Sequence, residues 1–336
     1  MTEHPHKAIA ITDRSSIGEA RRESLLISER AGMKEHERGR SSLIVTELAT
    51  NLFLHAAGGE IIIRMLPAEM GPGLEMIALD RGPGIADLQR CMADGYSGGG
   101  TRGCGLGAVQ RLSTEFDIYS AQPGGTVVVS RVQRMDGKPQ APAQFSAISI
   151  PAPGESECGD GWNLQLNGNT MSVIVADGLG HGPLAACAAT TALAVFETGQ
   201  FDTPVGYFET AHAPMSTTRG AAIAVAQIDL NRGRLHYAGV GNIAGRIASP
   251  GADSQSLLSH NGIVGTPVRK LHQFDYQWQR GDLLIMHSDG LSDRWKLNDY
   301  PGLARADTAV IAAVLYRDAR RGRDDATVLV ARLQSI

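Results

Sequence analysis

Two apolar segments of this sequence end in an aspartate that is followed by glycine. They cover residues 171–178 (MSVIVADG) and 283–290 (LLIMHSDG). A β-branched run that stops in a glycine turn predicts a buried strand with a carboxylate at its end. Asp324 and Asp325 open a third apolar run, and Asp160 lies between two glycines. Oxygen ligands of this kind, without Cys or His among them, suit a hard divalent cation such as Mg2+ or Mn2+.

Each Asp-Gly pair taken alone is equally well explained as a hairpin turn, which that dipeptide favours. Four acidic strand ends in one order favour the metal site. Gly178 adds a possible backbone ligand, because a residue without a side chain leaves its carbonyl open to a bound ion.

Together these segments resemble the metal-dependent serine/threonine protein phosphatases of the 2C type (PPM), in the bacterial sporulation and stress-response branch. The resemblance spans about residues 147–334 and is carried by Gly159-Asp160, 175–182 (VADGLGHG), 239–242 (GVGN), 288–291 (SDGL) and 324–327 (DDAT). It implies two Mn2+ or Mg2+ ions, which would activate a water for attack on phosphorus. The implied ligands are Asp160, Asp177, Gly178, Asp289 and Asp324, with Asp325 as the alternative to Asp324. Asp177 and Asp289 are the implied catalytic residues.

Two further features of this half concern proton transfer and phosphate binding. His181 could donate a proton to the leaving serine oxygen, although a histidine beside a turn needs no such role. The chain lacks an arginine near the start of this half of the sort that eukaryotic relatives use on phosphate. Phosphate binding is therefore expected to depend on the metal ions alone.

The first half of the chain carries a second set of polar residues. A helix predicted over residues 41–57 places Glu47, Asn51 and His55 on one stripe, which is either a polar site or a solvent face. A predicted strand over 74–80 delivers Asp80 into a glycine turn. The glycine-rich stretch 95–107 leads into a helix, where exposed backbone N–H groups and the helix dipole can hold phosphates.

These segments resemble the boxes of the GHKL ATPases, and most closely the small serine kinases of bacterial partner-switching systems, among them the anti-sigma-factor kinases and the stressosome switch kinase. The segments are 47–51 (ELATN), 80–84 (DRGPG), 103–107 (GCGLG) and Gly125-Thr126. The resemblance implies that Asn51 holds Mg2+ on ATP, that Asp80 accepts the adenine amino group and that Glu47 orients or deprotonates the attacking hydroxyl. The other implied ATP-binding residues are Gly82, Gly84, Gly103, Gly105, Leu106, Gly107 and Thr126.

Composition narrows the class of protein further. Apolar residues make up 43% of the 336 residues and the net charge is −4, which favours globular domains and gives no sign of nucleic acid or membrane binding. No secretory signal or membrane-spanning stretch is evident. Four scattered cysteines without metal spacing fit a reducing compartment, so we expect a cytoplasmic protein.

The predicted fold is a two-domain α/β protein. Residues 1–133 should form a GHKL ATPase α/β sandwich, 134–146 a Pro/Gly/Gln-rich linker, and 147–336 an α+β PPM-type β-sandwich flanked by helices.

The predicted function is a bifunctional regulator that phosphorylates and dephosphorylates Ser/Thr on a partner protein. The two resemblances imply STAS-domain antagonist or scaffold proteins as partners, and a homodimer is left open. A second hypothesis is a phosphatase whose first domain binds ATP and a partner without transferring phosphate. A third hypothesis, an ATPase of the chaperone or mismatch-repair kind, is not favoured, because it would need dimerisation and middle domains that this sequence does not show.

Overall fold

The computed structural model describes residues 6–66, 72–92, 105–133, 143–249, 252–266 and 271–333. The chain divides into two compact units, residues 2–139 and residues 140–336. The first strand of the second unit begins at Ala143, inside the range 134–146 that we predicted as a linker. None of the helices within the described ranges combines the length and apolar character that crossing a bilayer requires.

The first unit is one antiparallel sheet covered by helices. Its strands are β1 (Lys7–Ile11), β2 (Gly59–Met65), β3 (Gly73–Leu79), β4 (Glu115–Ala121) and β5 (Gly125–Gln133), and its helices are α1 (Arg14–Arg30), α2 (Glu35–His55), α3 (Leu88–Met92) and α4 (Leu106–Leu112). The strand order is β1-β2-β3-β5-β4. Alternate strand residues such as Ile61, Met76 and Val128 pack with Ile44 and Leu48 of α2 in one apolar core, as period-2 strands and an amphipathic helix require.

Helix α2 begins at Glu35, six residues before the predicted start at Ser41. The polar sequence EHERGR carries no apolar period, so the sequence pattern did not reveal this turn and a half of helix. In the structure the Glu37 side chain accepts a 2.6 Å hydrogen bond from the backbone N–H of Lys34. Glu35 and Glu37 also place negative charge in the first turn, where the helix dipole favours it.

The second unit is a sandwich of two antiparallel sheets between helices. Its strands are β6 (Ala143–Ile150), β7 (Asp160–Asn167), β8 (Thr170–Gly178), β9 (Ala221–Asp229), β10 (Arg234–Val240), β11 (Ala244–Ala248), β12 (Gln255–Leu257), β13 (Phe274–Gln277), β14 (Leu283–His287) and β15 (Ala326–Leu333), and its α-helices are α5 (Pro183–Glu197), α6 (Pro204–Met215) and α7 (Thr308–Ala319). Short 3₁₀ helices cover Leu297–Asp299 and Leu303–Arg305.

The two sheets have the orders β13-β10-β9-β8-β7 and β12-β11-β14-β15-β6. Their facing side chains, including Val173, Ala226, Met286 and Leu329, form the central core. Helices α5 and α6 cover the outer face of the first sheet, and α7 packs on β6 and β15. The predicted sandwich with outer helices is confirmed.

Candidate active sites

The predicted carboxylates of the second unit meet at one end of the two sheets. Asp160 opens β7 and lies directly opposite Asp177, which stands near the end of β8. The buried hydroxyl of Ser288, just after β14, donates a 2.6 Å hydrogen bond to Oδ2 of Asp160. Since β14 belongs to the other sheet, this bond joins the ends of both sheets beside the carboxylates.

Asp289 reaches the same region from the second sheet. Its Oδ2 accepts a 2.7 Å hydrogen bond from Nδ2 of Asn242. Gly290 follows, and a Cβ atom at this position would lie 1.8 Å from the carbonyl oxygen of Asp325. Only glycine permits this approach, so the Asp-Gly pair serves to bring the end of β14 against the start of β15.

Asp324 and Asp325 have different environments. Asp325 is buried, and its Oδ1 accepts a 2.8 Å hydrogen bond from the backbone N–H of Ala152. Its buried Oδ2 has no hydrogen-bond partner among the described residues. Asp324 is exposed, and its Oδ1 accepts from the backbone N–H of Asp325. Asp325 therefore also anchors the end of β6, whereas Asp324 lies on the open side.

The carboxylates repel one another electrostatically. Burial and then the charges of Asp160, Asp289, Asp324 and Asp325 raise the pKa of Asp177. Burial likewise raises the pKa of Asp160, against the hydrogen bond from Ser288. Crowded, desolvated carboxylates are stable as anions only when a cation compensates their charge.

These residues fit a divalent cation, because they offer oxygen donors and negative charge. The buried Oδ2 of Asp325, which has no partner among the described residues, is also available to a cation. Within the described ranges, no three His, Cys, Asp or Glu side chains are already arranged at metal-binding distances. The fold thus brings the strand ends together without closing a ligand shell.

His181 lies in the turn between Asp177 and α5. Its ring is 60% exposed, and Nδ1 lies 2.6 Å from Oε1 of Glu155, which is 27% exposed. A carboxylate on Nδ1 orients the ring and leaves Nε2 to face other groups. The sequence did not suggest Glu155, because it is distant in the chain from His181 and belongs to no motif.

In the first unit, Asp80 lies immediately after β3 and is buried. Its Oδ1 accepts hydrogen bonds from the backbone N–H groups of Gly82 (2.7 Å) and Thr126 (3.2 Å). The Asp80 backbone N–H in turn donates to the carbonyl of Thr126. Two of the predicted ATP-binding segments therefore form one rigid turn around a single carboxylate.

The other predicted nucleotide residues lie on neighbouring elements. Glu47 and Asn51 are half-buried, one turn apart on α2, and burial raises the pKa of Glu47. Gly82 packs against Ala56 at the end of the same helix. Gly84 is in the turn after Asp80. Gly105 is the N-cap residue of α4, whose first turn holds Leu106 and Gly107. Gly103 lies outside the described residues.

The two architectures define a class of protein: an ATPase-type single sheet under helices, followed by a phosphatase-type double sheet with acidic strand ends. Residues 12–132 match the histidine kinase-like ATPase domain family, and residues 167–334 match the Stage II sporulation protein E (SpoIIE) family. The chain therefore belongs to both families and combines a kinase-like ATPase domain with a PP2C-type phosphatase domain.

Individual relatives agree with this division. The chain is 36% identical over 102 residues to the serine/threonine-protein kinase RsbT of Bacillus subtilis (strain 168), covering 30% of this chain and 77% of RsbT. It is 27% identical over 139 residues to the phosphoserine phosphatase RsbX of the same strain, covering 41% of this chain and 70% of RsbX.

Two solved structures are also similar. One comes from work on the bacterial stressosome as a modular system adapted to control secondary messenger signalling (TM-score 0.53, 31% identity, 56% of this chain and 99% of that chain). The other is RsbX in complex with magnesium (TM-score 0.50, 22% identity, 59% of this chain and 98% of that chain), which supports the fold.

Proposed function

We propose that this protein both phosphorylates and dephosphorylates serine or threonine residues of a partner protein. The first domain would transfer phosphate from ATP, and the second would hydrolyse the phosphoester. The observation that carries the proposal is the meeting of Asp160, Asp177 and Asp289 at the joined ends of two sheets, in a chain whose other half holds the Asp80 turn.

In the phosphatase half, Asp160, Asp177, Asp289, Asp324 and the carbonyl of Gly178 would hold two Mn2+ or Mg2+ ions. Asp325, whose buried Oδ2 has no partner among the described residues, is the alternative to Asp324. Bound there, the ions would supply Lewis-acid activation of water at neutral pH. The protein residues fix the geometry: Ser288 holds Asp160, and Asn242 holds Asp289. The pair of Glu155 and His181 would give a proton to the leaving serine oxygen through Nε2.

In the kinase half, Asp80 would accept the adenine amino group, since its Oδ1 is already fixed by two backbone N–H groups. Asn51 would hold Mg2+ on the triphosphate. Glu47, whose pKa burial raises, would orient or deprotonate the hydroxyl that attacks. Gly105 and the first turn of α4 would face the phosphates.

The partner that we propose is a STAS-domain protein of a partner-switching pathway. RsbT is a serine/threonine kinase and RsbX a phosphoserine phosphatase, so a chain similar to both fits one phosphorylation cycle. We place this cycle in the cytoplasm, where the unpaired thiols of Cys91, Cys158 and Cys187 would stay reduced.

The two activities can be tested separately. The wild type should hydrolyse a phosphoserine STAS protein only with Mn2+ or Mg2+, and Asp177→Asn should abolish this. With labelled ATP, Asp177→Asn should phosphorylate the partner, and Glu47→Ala should not. If Asp177→Asn binds ATP and the partner but transfers no phosphate, the first domain is a docking module instead.

A further inference from the structure

Arg219 lies beside the turn that follows Asp177. The β8–β9 pairing places Asp177 opposite Ala222 and Gly178 opposite Ala221. The pairing continues into the turn, where the backbone N–H of Leu179 donates to the carbonyl of Gly220 at 3.1 Å. Arg219 is therefore next to Gly180, and a Cβ atom on Gly180 would lie 3.3 Å from Nη1 of Arg219. The guanidinium group thus lies beside the turn that connects Asp177 to α5.

The backbone on both sides of Arg219 is held firmly. Thr218 accepts a 3.0 Å hydrogen bond from the Gly220 backbone N–H through its hydroxyl, which itself donates to the carbonyl of Met215 at 2.8 Å. Gly220 is fixed in turn by its bond to Leu179. These bonds keep the backbone of Arg219 in place relative to the β8–β9 ends, so only the side chain has to be ordered when an anion binds.

The side chain of Arg219, by contrast, is exposed and forms no hydrogen bond or ion pair with any residue in the described ranges. Its five N–H groups can therefore donate hydrogen bonds to a ligand. A guanidinium group matches phosphate oxygens with two parallel hydrogen bonds. A phosphoserine brings a charge of about −1.5 to −2 at neutral pH. Even with the proposed metal ions bound, the surrounding carboxylates carry negative charge, so a cation at the rim favours the approach of the phosphate.

We propose that Arg219 binds the phosphate of the phosphorylated partner at the rim of the carboxylate centre. This inference rests on the proposed phosphatase function and deepens it, because it names the protein group that recognises the phosphate. It also alters the expectation from the sequence that phosphate binding depends on the metal ions. Arg219 lies just before β9, which begins at Ala221, in a segment where no motif marked it.

The test compares Arg219→Ala with Arg219→Lys and with Arg232→Ala in the full chain. Arg232 is a matched control, since its side chain is 83% exposed and lies beyond the other end of β9, roughly 30 Å away at strand spacing. The measurements are the KM for a phosphoserine peptide, the inhibition constant of inorganic phosphate, and the calorimetric affinities for Mn2+ and for inorganic phosphate with Mn2+ present.

Loss of a hydrogen bond to a charged group should weaken phosphate binding about tenfold or more in Arg219→Ala. Arg219→Lys should recover part of this, and Arg232→Ala should equal the wild type. Mn2+ affinity should be unchanged throughout. Equal phosphate affinity in the wild type and Arg219→Ala would overturn the inference. If the wild type hydrolyses no phosphoester, the proposed function fails, and the calorimetric comparison still decides whether Arg219 binds phosphate.

Discussion

The hydroxyl of Ser288 donates a 2.6 Å hydrogen bond to Oδ2 of Asp160, across the ends of two different sheets. The hydroxyl oxygen of Ser288 also accepts a 3.0 Å hydrogen bond from the backbone N–H of Thr327. Both Ser288 and Asp160 are buried. One serine therefore ties β7, β14 and β15 together at the point where the carboxylates meet.

We expect Ser288→Ala to destabilise the second domain by about 1–3 kcal/mol, because it leaves a buried carboxylate and a buried N–H without this partner. Chemical denaturation followed by tryptophan fluorescence measures this, since Trp162, Trp278 and Trp295 all lie in the second unit. Ser216→Ala is the control, as the exposed Ser216 donates to a helix-end carbonyl. A Ser288→Ala variant as stable as Ser216→Ala would contradict the argument.

A second prediction concerns nucleotide binding. Asp80→Asn keeps an oxygen for the N–H groups of Gly82 and Thr126 but replaces a carboxylate oxygen by an amide that donates. An adenine amino group would then face a donor, and ATP affinity should fall about tenfold or more. Asn51→Ala should weaken mainly the Mg2+-dependent part of binding.

Calorimetry with ATP, in the presence and absence of Mg2+, separates these two effects. His55→Ala is a suitable control, because His55 is exposed one turn beyond Asn51 on the same helix. Equal ATP affinity in the wild type, Asp80→Asn and Asn51→Ala would show that these two residues do not bind the nucleotide.

The first domain also contains a buried ion network with a predictable effect of pH. Glu75 on β3 accepts hydrogen bonds from Arg64 (2.6 Å) and Arg131 (2.7 Å), and Arg131 also pairs with Glu115. Burial alone would raise the pKa of Glu75, but the two guanidinium groups outweigh it and lower the pKa from 4.5 to about 2. The folded state therefore holds its proton less tightly than the unfolded chain does.

Because the folded pKa is the lower one, this contribution is fully present above about pH 4.5 and is lost as pH falls towards 2. It amounts to on the order of 3 kcal/mol. Glu75→Gln should lower stability at neutral pH and flatten the dependence between pH 4.5 and 2. Circular dichroism should report the change while tryptophan fluorescence does not. A parallel loss in both signals would contradict a local role.

Much of the site could be predicted from the sequence, because its residues stand at strand ends with distinct local patterns. Asp177, Asp289 and Asp80 each follow an apolar run and precede a glycine turn, and the structure places all three after or near the end of a strand. The sequence pattern predicts these positions because a strand and a turn are each determined by residues close together in the chain.

The residues that hold or surround the site could not be predicted in this way. Glu155 and Arg219 lie beside the site through contacts between distant segments, which no local period reveals. The segment 239–242 was noted in the sequence, but the hydrogen bond from Asn242 to Asp289 is also a contact between distant segments. The same limit applies to strands β12 and β13, with three and four residues, which are too short to show alternation. The sequence pattern predicts a last helix over residues 303–321, but α7 begins at Thr308, because Asp307 caps it and a 3₁₀ turn precedes it.

A fourth prediction separates proton donation from metal chemistry. If His181 gives a proton to the leaving oxygen, its loss should matter most for a poor leaving group. His181→Gln should lower kcat for a phosphoserine peptide by about 10²–10⁴-fold and leave hydrolysis of p-nitrophenyl phosphate nearly unchanged, since nitrophenolate leaves without protonation. Glu155→Gln should show the same pattern more weakly. Equal losses on both substrates would place His181 in another role.

The last prediction is that both active sites act on the same residue of the partner. The two domains are parts of one chain, so a partner held by one meets the other at a high effective concentration. Glu47→Ala should leave the partner unphosphorylated, and Asp177→Asn should drive it towards full phosphorylation with ATP present. Mass spectrometry then maps the residue that Asp177→Asn phosphorylates and the one that Glu47→Ala dephosphorylates. A mixture of the two separate variants should restore cycling at the same residue. If the mapped residues differ, the two domains serve different partners.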